Sequence, residues 1–189
     1  MTTSDSLLLT RILDAATDLL GDHSWSDVTM ARIGEHAGVS RQSVYNEVGS
    51  KPHLAQLLVG REFEGFMSVV AAELGGRGAL RDDVARAALS VLDRAGDNPV
   101  LRAVVTSAHG GAGELLPLLT TQAEPLFETA TSVVVRQIQA NYATVDAATL
   151  NRGVAAVVRL VFSQVMQPGG PPAVVATDIG WIADRLLQV

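Results

Sequence analysis

Between Arg41 and Lys51 the sequence reads Arg-Gln-Ser-Val-Tyr-Asn-Glu-Val-Gly-Ser-Lys, a stretch rich in short hydrogen-bond donors and acceptors. An arginine fork matches the two acceptors of guanine, and the carboxamides of Gln42 and Asn46 match the donor–acceptor edge of adenine. The hydroxyls of Ser43 and Tyr45 suit phosphate oxygens. Val44 and Val48 stand four apart, so on a helix they turn inward together and leave the polar residues on the other faces. Lys51 falls where a following helix would begin, so backbone N–H groups there could join its ammonium on a phosphate.

Other chemistry finds less support. The four histidines, His23, His36, His53 and His109, form no i, i+4 pair and no His-Glu-x-x-His, so a metal site is not expected. His109-Gly-Gly-Ala-Gly113 resembles the oxyanion stretch of esterases, but no serine sits in a Gly-x-Ser-x-Gly elbow and no parallel sheet is predicted. Walker A and dinucleotide fingerprints are absent, as is cysteine, which removes disulfides, thiolate ligands and thiol nucleophiles. The chain therefore reads as a non-enzyme that needs no cofactor.

Composition narrows the partners. At 189 residues the chain can hold one sizeable core or a small module and a larger one. Hydrophobic residues make up 48%, yet no uninterrupted apolar run approaches the roughly 18–20 residues needed to span a bilayer, so no membrane partner is expected. Met1-Thr-Thr-Ser-Asp lacks a basic leader, which suggests a cytoplasmic location. A net charge of −6 argues against coating nucleic acid nonspecifically.

The elements that would position the polar stretch are helical, because β-branched residues recur at helical spacing and no Asn-Gly or Asp-Gly hairpin turn occurs. A first helix is predicted over Ser6–Leu20, capped by Asp5 or Ser4, with Leu8, Ile12, Ala15 and Leu19 on one face and Gly21 at its end. Thr29 caps Met30–Ala37, Gly38 makes the turn, Ser40 caps Arg41–Val48, and Gly49-Ser50 introduces a fourth helix with Pro52 in its first turn. That helix ends at Gly75-Gly76-Arg77-Gly78. Later helices are predicted over Leu80–Arg94, Pro99–Ala108, Glu114–Asn141, Asp146–Met166 and Ala173–Leu187, with Pro117 and Pro125 kinking or breaking the third of these.

Supporting helix, glycine turn and exposed second helix form a helix-turn-helix, and Thr29-Met-Ala-Arg-Ile-Gly-Glu-His-Ala-Gly-Val-Ser-Arg-Gln-Ser-Val-Tyr-Asn-Glu-Val-Gly-Ser-Lys51 resembles that of the TetR family element by element. The likeness extends to Arg11–Gly21 before it and Leu54–Leu58 after it. It implies an all-α fold of about nine helices, with a three-helix DNA-binding domain over residues 1–51 and a larger ligand-binding and dimerisation domain over 52–189. It further implies a transcriptional regulator that binds a double-stranded operator as a homodimer, through Thr29, Arg41, Gln42, Ser43, Tyr45, Asn46 and Lys51. Asn46-Glu47-Val48 stand where the family commonly carries a second aromatic, and acidic residues outnumber basic ones in the first 60. A helical ligand carrier without DNA binding is the alternative.

In the C-terminal part, Val154, Val158, Val161, Phe162 and Val165, then Ile179, Ile182 and Leu186, form near-continuous apolar faces suited to a dimer interface. Arg159 among them calls for an acidic partner such as Asp178 or Asp184. Phe63, Phe66, Met67, Leu101, Val105, Leu119, Phe127 and Tyr142 are candidates for an apolar effector cavity. With so few interior charges, the effector would be uncharged or amphipathic, such as a fatty acid, lipid or hydrophobic drug.

Overall fold

The computed structural model describes residues 3–110, 115–142 and 146–187. In it the chain runs through α1 (Thr3–Asp22), α2 (Met30–Ala37), α3 (Arg41–Val48), α4 (Lys51–Glu73), α5 (Leu80–Asp97), α6 (Pro99–Gly110), α7 (Leu116–Leu119), α8 (Glu124–Asn141), α9 (Ala147–Met166) and α10 (Pro172–Leu187). Since α7 is a single turn of four residues, nine longer helices remain among the described residues, with no strand between them.

The punctuation acts as the residue types require, with a few corrections. Helix α1 starts earlier than predicted, so Ser4 and Asp5 lie inside it. It also continues through Gly21 to Asp22, because a glycine costs a helix only about 1 kcal/mol against alanine, too little to end it alone. Ile12 and Ala15 of its predicted stripe are buried, but Leu13, Ala16 and Leu20 are buried too, and Leu8 and Leu19 are only half so. The predicted Glu114–Asn141 helix is two elements, with Pro117 and Pro125 each in the first turn of its own piece, where a missing N–H costs nothing. Glu114 itself, and Gly111 to Gly113 of the glycine-rich string, lie outside the described residues. Asp146 stands just before α9 and caps it, its Oδ1 accepting from the N–H groups of Ala148 and Thr149 at 2.9 and 3.0 Å.

The helices form two compact units. The first holds α1, α2, α3, the leading part of α4 up to Glu62, α6 and α7. Its core is Ile12, Ala16, Trp25, Val28, Ile33, Val44, Val48, Leu54 and Leu58, all at most 3% exposed. Arg61 pins α4 to α1, its guanidinium donating to Asp14 Oδ1 (2.6 Å), Thr17 Oγ1 (2.6 Å) and the Leu13 carbonyl (3.2 Å). The next residue, Glu62, accepts from buried Asn98 at 2.6 Å, and Asn98 Oδ1 takes the N–H of Leu101 in the first turn of α6 at 3.0 Å.

The second unit holds the rest of α4 with α5, α8, α9 and α10. Its closest packing is α10 along α5. A Cβ on Gly180 would lie 2.7 Å from the Arg81 carbonyl oxygen and 2.9 Å from Ala85 Cβ, so only glycine allows that approach. Asp83, fully buried, fastens the corner between α4 and α5. Its carboxylate accepts from the Tyr142 hydroxyl, the Arg86 guanidinium and the Arg77 N–H (3.1 Å), and the Tyr142 oxygen accepts from the Gly76 N–H (3.1 Å). Burial alone would push the Asp83 carboxyl up, but those donors outweigh it and hold it below the usual range. Burial, aided by the Asp83 carboxylate, pushes the Tyr142 phenol up to about 12.

Candidate nucleic-acid interface

In the helix-turn-helix, Thr29 is extended and its Oγ1 accepts from the Arg32 N–H at 3.3 Å, which starts α2. Gly38, left-handed at φ +67°, ends that helix, and Val39 N–H closes back onto the Gly34 carbonyl at 2.8 Å. Ser40 then starts α3 by accepting from the Ser43 N–H at 3.0 Å. The turn is tight enough that Gly34 has no room for a side chain, since a Cβ there would lie 2.8 Å from the Val39 carbonyl oxygen. From α1, Arg11 donates to the Ala37 carbonyl at the end of α2, where a cation is favoured.

Ahead of α2, Arg32 donates to the Asp27 carbonyl at 3.1 Å and meets His23 Nε2 at 2.7 Å. Asp27 is held below the ordinary carboxylate range, first by the hydroxyl of Ser24 at 2.5 Å, with Arg32 and His23 adding to it.

Helix α3 buries Val44 and Val48 completely and exposes Arg41, Gln42 and Asn46, while Ser43, Tyr45 and Glu47 are half-buried. The predicted polar set therefore shares one outward surface. Two pairs on it, each one helical turn apart, are already in contact. The Arg41 guanidinium lies 5.4 Å from the centre of the Tyr45 ring, and Gln42 Nε2 donates to Asn46 Oδ1 at 2.9 Å. Thr29 is exposed at the start of α2. Lys51 begins α4 as predicted, but its Nζ donates to the Trp25 carbonyl at 2.7 Å and sits 4.8 Å from the Trp25 ring centre. Two residues escaped the sequence reading here. Gly34 sits mid-helix with no local mark of a close approach, and Arg11 meets a carbonyl 26 residues away.

The predicted cavity residues divide between the units. Leu101 and Val105 on α6 and Leu119 on α7 belong to the first, whereas Phe63, Phe66 and Met67 on α4, Phe127 on α8 and Tyr142 after it belong to the second. Phe66 is buried with Arg94 over its ring at 5.4 Å, and Tyr142 is engaged with Asp83. Phe127 packs edge-on against Phe162 at 4.9 Å and lines a cleft of about 740 Å³ along α8 and α9, with Val135, Arg136 and Arg152 farther along it.

Of the predicted dimer residues, Val154 and Ile179 are corrected to core. Each keeps 1% of its surface, because their faces of α9 and α10 close on their own protomer, and they have nothing left to offer a partner. Val158, Val161, Phe162, Val165 and Ile182 stay half-buried, and Leu186 is 40% exposed. Val174 and Trp181, 57% and 50% exposed and seven residues apart on the outer face of α10, were missed, although that spacing marks one helix face. Arg159 does pair with an acid, but with Glu124 at 3.1 Å instead of Asp178 or Asp184, and it lies 4.4 Å from the Phe127 ring centre.

A family model described as bacterial regulatory proteins, tetR family, matches residues 12–58, and one described as bacterial tetracyclin repressor, C-terminal domain, matches residues 80–185. The HTH-type transcriptional regulator AlkX of Mycobacterium tuberculosis (strain ATCC 25618 / H37Rv) is 30% identical over 180 residues, which cover 93% of this chain and 83% of that protein. The crystal structure of the TetR family repressor AlkX from Dietzia sp. strain DQ12-45-1b, implicated in biodegradation of n-alkanes, superposes with a TM-score of 0.77 at 27% identity over 96% of each chain. A tetR-family transcriptional regulator from Streptomyces coelicolor shares the fold at 19% identity, with a TM-score of 0.67 over 98% of this chain and 82% of that one.

Proposed function

The chain belongs to the TetR family of bacterial DNA-binding transcriptional regulators, which are not enzymes, and on that premise we propose that it is a repressor released from a palindromic operator by a small apolar or amphipathic effector. The observation that carries this reading is the outer face of α3, where Arg41, Gln42 and Asn46 stand exposed on a capped, glycine-turned helix-turn-helix. Residues 1–51 read DNA in this proposal, and residues 52–189 bind the effector and dimerise. Arg41, Gln42 and Asn46 contact base edges, while Thr29, Ser43, Tyr45 and Lys51 contact phosphates.

One protomer reads one half-site, so a second must stand about one turn of DNA away. The half-buried apolar residues of α9, with Val174 and Trp181 of α10, offer the partner a surface that water otherwise covers. An effector that favours a state in which the two α3 helices no longer match the groove spacing releases the DNA. Full switching requires it to prefer that state by about 5.5 kcal/mol. The relative from Dietzia, a repressor implicated in biodegradation of n-alkanes, supports an apolar or amphipathic effector.

The test is a mobility shift with the DNA upstream of the protein's own coding sequence, across a salt series. Retardation at low salt that falls steeply as salt rises is the expected result, because few cations carry the phosphate contacts. No retardation at low salt would leave a helical ligand carrier as the better reading. Fatty acids and hydrophobic drugs added to the complex should release the DNA and raise the melting temperature of the free protein. A panel that does neither overturns the apolar effector alone.

A further inference from the structure

The outer line of α10 is Val174, Asp178, Trp181 and Arg185, spaced to fall on one side of the helix and all exposed. On the opposite side Ala176, Ile179, Ala183 and Leu187 are buried, and Gly180 lies too close to α5 for the helix to roll. The line is therefore held outward. It carries one acid and one base, and among the described residues neither makes an ion pair. Arg185 lies 5.7 Å from the centre of the Trp181 ring, and a guanidinium beside a ring can still donate from its edge. Seven residues of helix set Asp178 and Arg185 about 10 Å apart, and they do not meet each other.

A second copy of this chain has the chemistry that complements the line. In a two-fold contact, residue i meets j and j meets i. Parallel helices would set Asp178 against the partner's Asp178 and Arg185 against the partner's Arg185, like charge on like. Antiparallel helices with Trp181 beside the axis put Asp178 opposite the partner's Arg185, and Arg185 opposite the partner's Asp178. The same register brings the two half-exposed indoles together at the centre. Sliding one helix by a turn would set Asp178 against the partner's Trp181 and Arg185 against the partner's Val174, which leaves both charges unpaired on apolar groups. Sliding by two turns in either direction brings one charge onto its own copy.

We infer that α10 packs antiparallel on α10 of a second copy about a two-fold beside Trp181, and that two reciprocal Asp178–Arg185 ion pairs set the register and decide which chain is accepted. This rests on the reading that the C-terminal helices dimerise, and adds the residues that choose the partner. Apolar side chains accept any apolar helix of similar shape, whereas charges so placed reject a chain that lacks their complements.

The experiment compares four full-length proteins by sedimentation over a dilution series: the unaltered chain, Asp178→Arg, Arg185→Asp, and the double exchange of Asp178→Arg with Arg185→Asp. Each single exchange puts like charges at both contacts and should raise the dimer dissociation constant about tenfold or more. The double exchange reverses both pairs and should return the constant to within about threefold of the unaltered value. The two single exchanges, one carrying a mass tag, should form mixed dimers above the statistical share in native mass spectrometry, because each contact then joins an arginine to an aspartate. Tagged and untagged unaltered chains should form that share only. All these differences should shrink in about 1 M salt. Recovery in the mixture also shows that both single exchanges are folded.

Single exchanges that dimerise like the unaltered chain, a double exchange that recovers nothing, or single exchanges that mix only at the statistical share would each refute the pairing, with dimerisation through other residues intact. An unaltered chain that stays monomeric at the concentrations at which it binds DNA would bring down the dimer reading itself, and the pairing with it.

Discussion

Gly34→Ala adds a single methyl group in the helix-turn-helix, and the structure sets its cost. That methyl would lie 2.8 Å from the Val39 carbonyl oxygen, and 3.3 Å from both the Arg41 nitrogen and the Ser40 carbonyl carbon. All three are backbone atoms of the turn, so no side chain can swing aside, and relief requires α2 and α3 to move apart. Forcing a methyl into a packed site of this kind costs about 1–3 kcal/mol. At roughly 2–4 °C per kcal/mol for a chain of this size, melting should fall by about 2–12 °C at fixed protomer concentration. Gly60→Ala is the matched control, because nothing lies within 4 Å of the added methyl in the middle of α4. It should stabilise by about 0.5–1 kcal/mol through helix propensity alone. The assay is thermal or urea unfolding of both variants beside titration of operator DNA. Gly34→Ala should lose DNA affinity by more than its stability loss would remove, since displaced turn atoms shift α3. A Gly34→Ala protein that melts and binds like the unaltered chain would refute the argument from close approach.

The remaining predictions concern other joints of the molecule. Arg61→Ala should destabilise by about 1–3 kcal/mol, and Arg61→Lys should not rescue it, because three acceptors on α1 are met by one planar fork. Unfolding measured for both variants checks this. Tyr142 has its folded pKa raised to about 12, so its contribution is full below the unfolded value and is lost as pH rises through about 10 to about 12. Tyr142→Phe should remove that alkaline limb from a plot of stability against pH. For Asp83 the sign is opposite: its lowered pKa gives stability above the unfolded carboxyl value, lost as pH falls below about 4, and Asp83→Asn should flatten that acid limb. Lys51→Ala should weaken binding to all DNA sequences alike and lower the salt slope by about one, and it should also lower the melting temperature, because Trp25 loses its clamp. Trp181→Glu should shift the protein from dimer to monomer in sedimentation and abolish binding to a two-half-site operator, with the protomer still folded, as Trp181 is half exposed there.

Much of what short-range chemistry sets around the helix-turn-helix was readable from the residues alone, although the ends of α1 were not. Thr29, Gly38 and Ser40 cap and turn where their side chains or lack of one require it, and the two prolines of the Leu116–Asn141 region break the helix as their missing N–H groups dictate. Val44 and Val48 turned inward, and with them the outward polar face of α3 was settled. Periodicity tells which residues of a helix are apolar, but not which neighbour claims them. Ile179 reads like a dimer residue until Gly180 lets α10 lie directly on α5, and Val154 of α9 reads like one until its own protomer buries it. Long-range partners were equally out of reach, because nothing local ties Arg11 to Ala37, Tyr142 to Asp83 or Arg159 to Glu124. Lys51 was legible as a cation at a helix start, yet only the fold could place Trp25, 26 residues earlier, beneath it. The caps and turns of the helix-turn-helix depend on a few successive residues, so the sequence determined them; pairings between distant residues, and which apolar face a neighbour claims, depend on how whole helices pack, and the tertiary structure decided those.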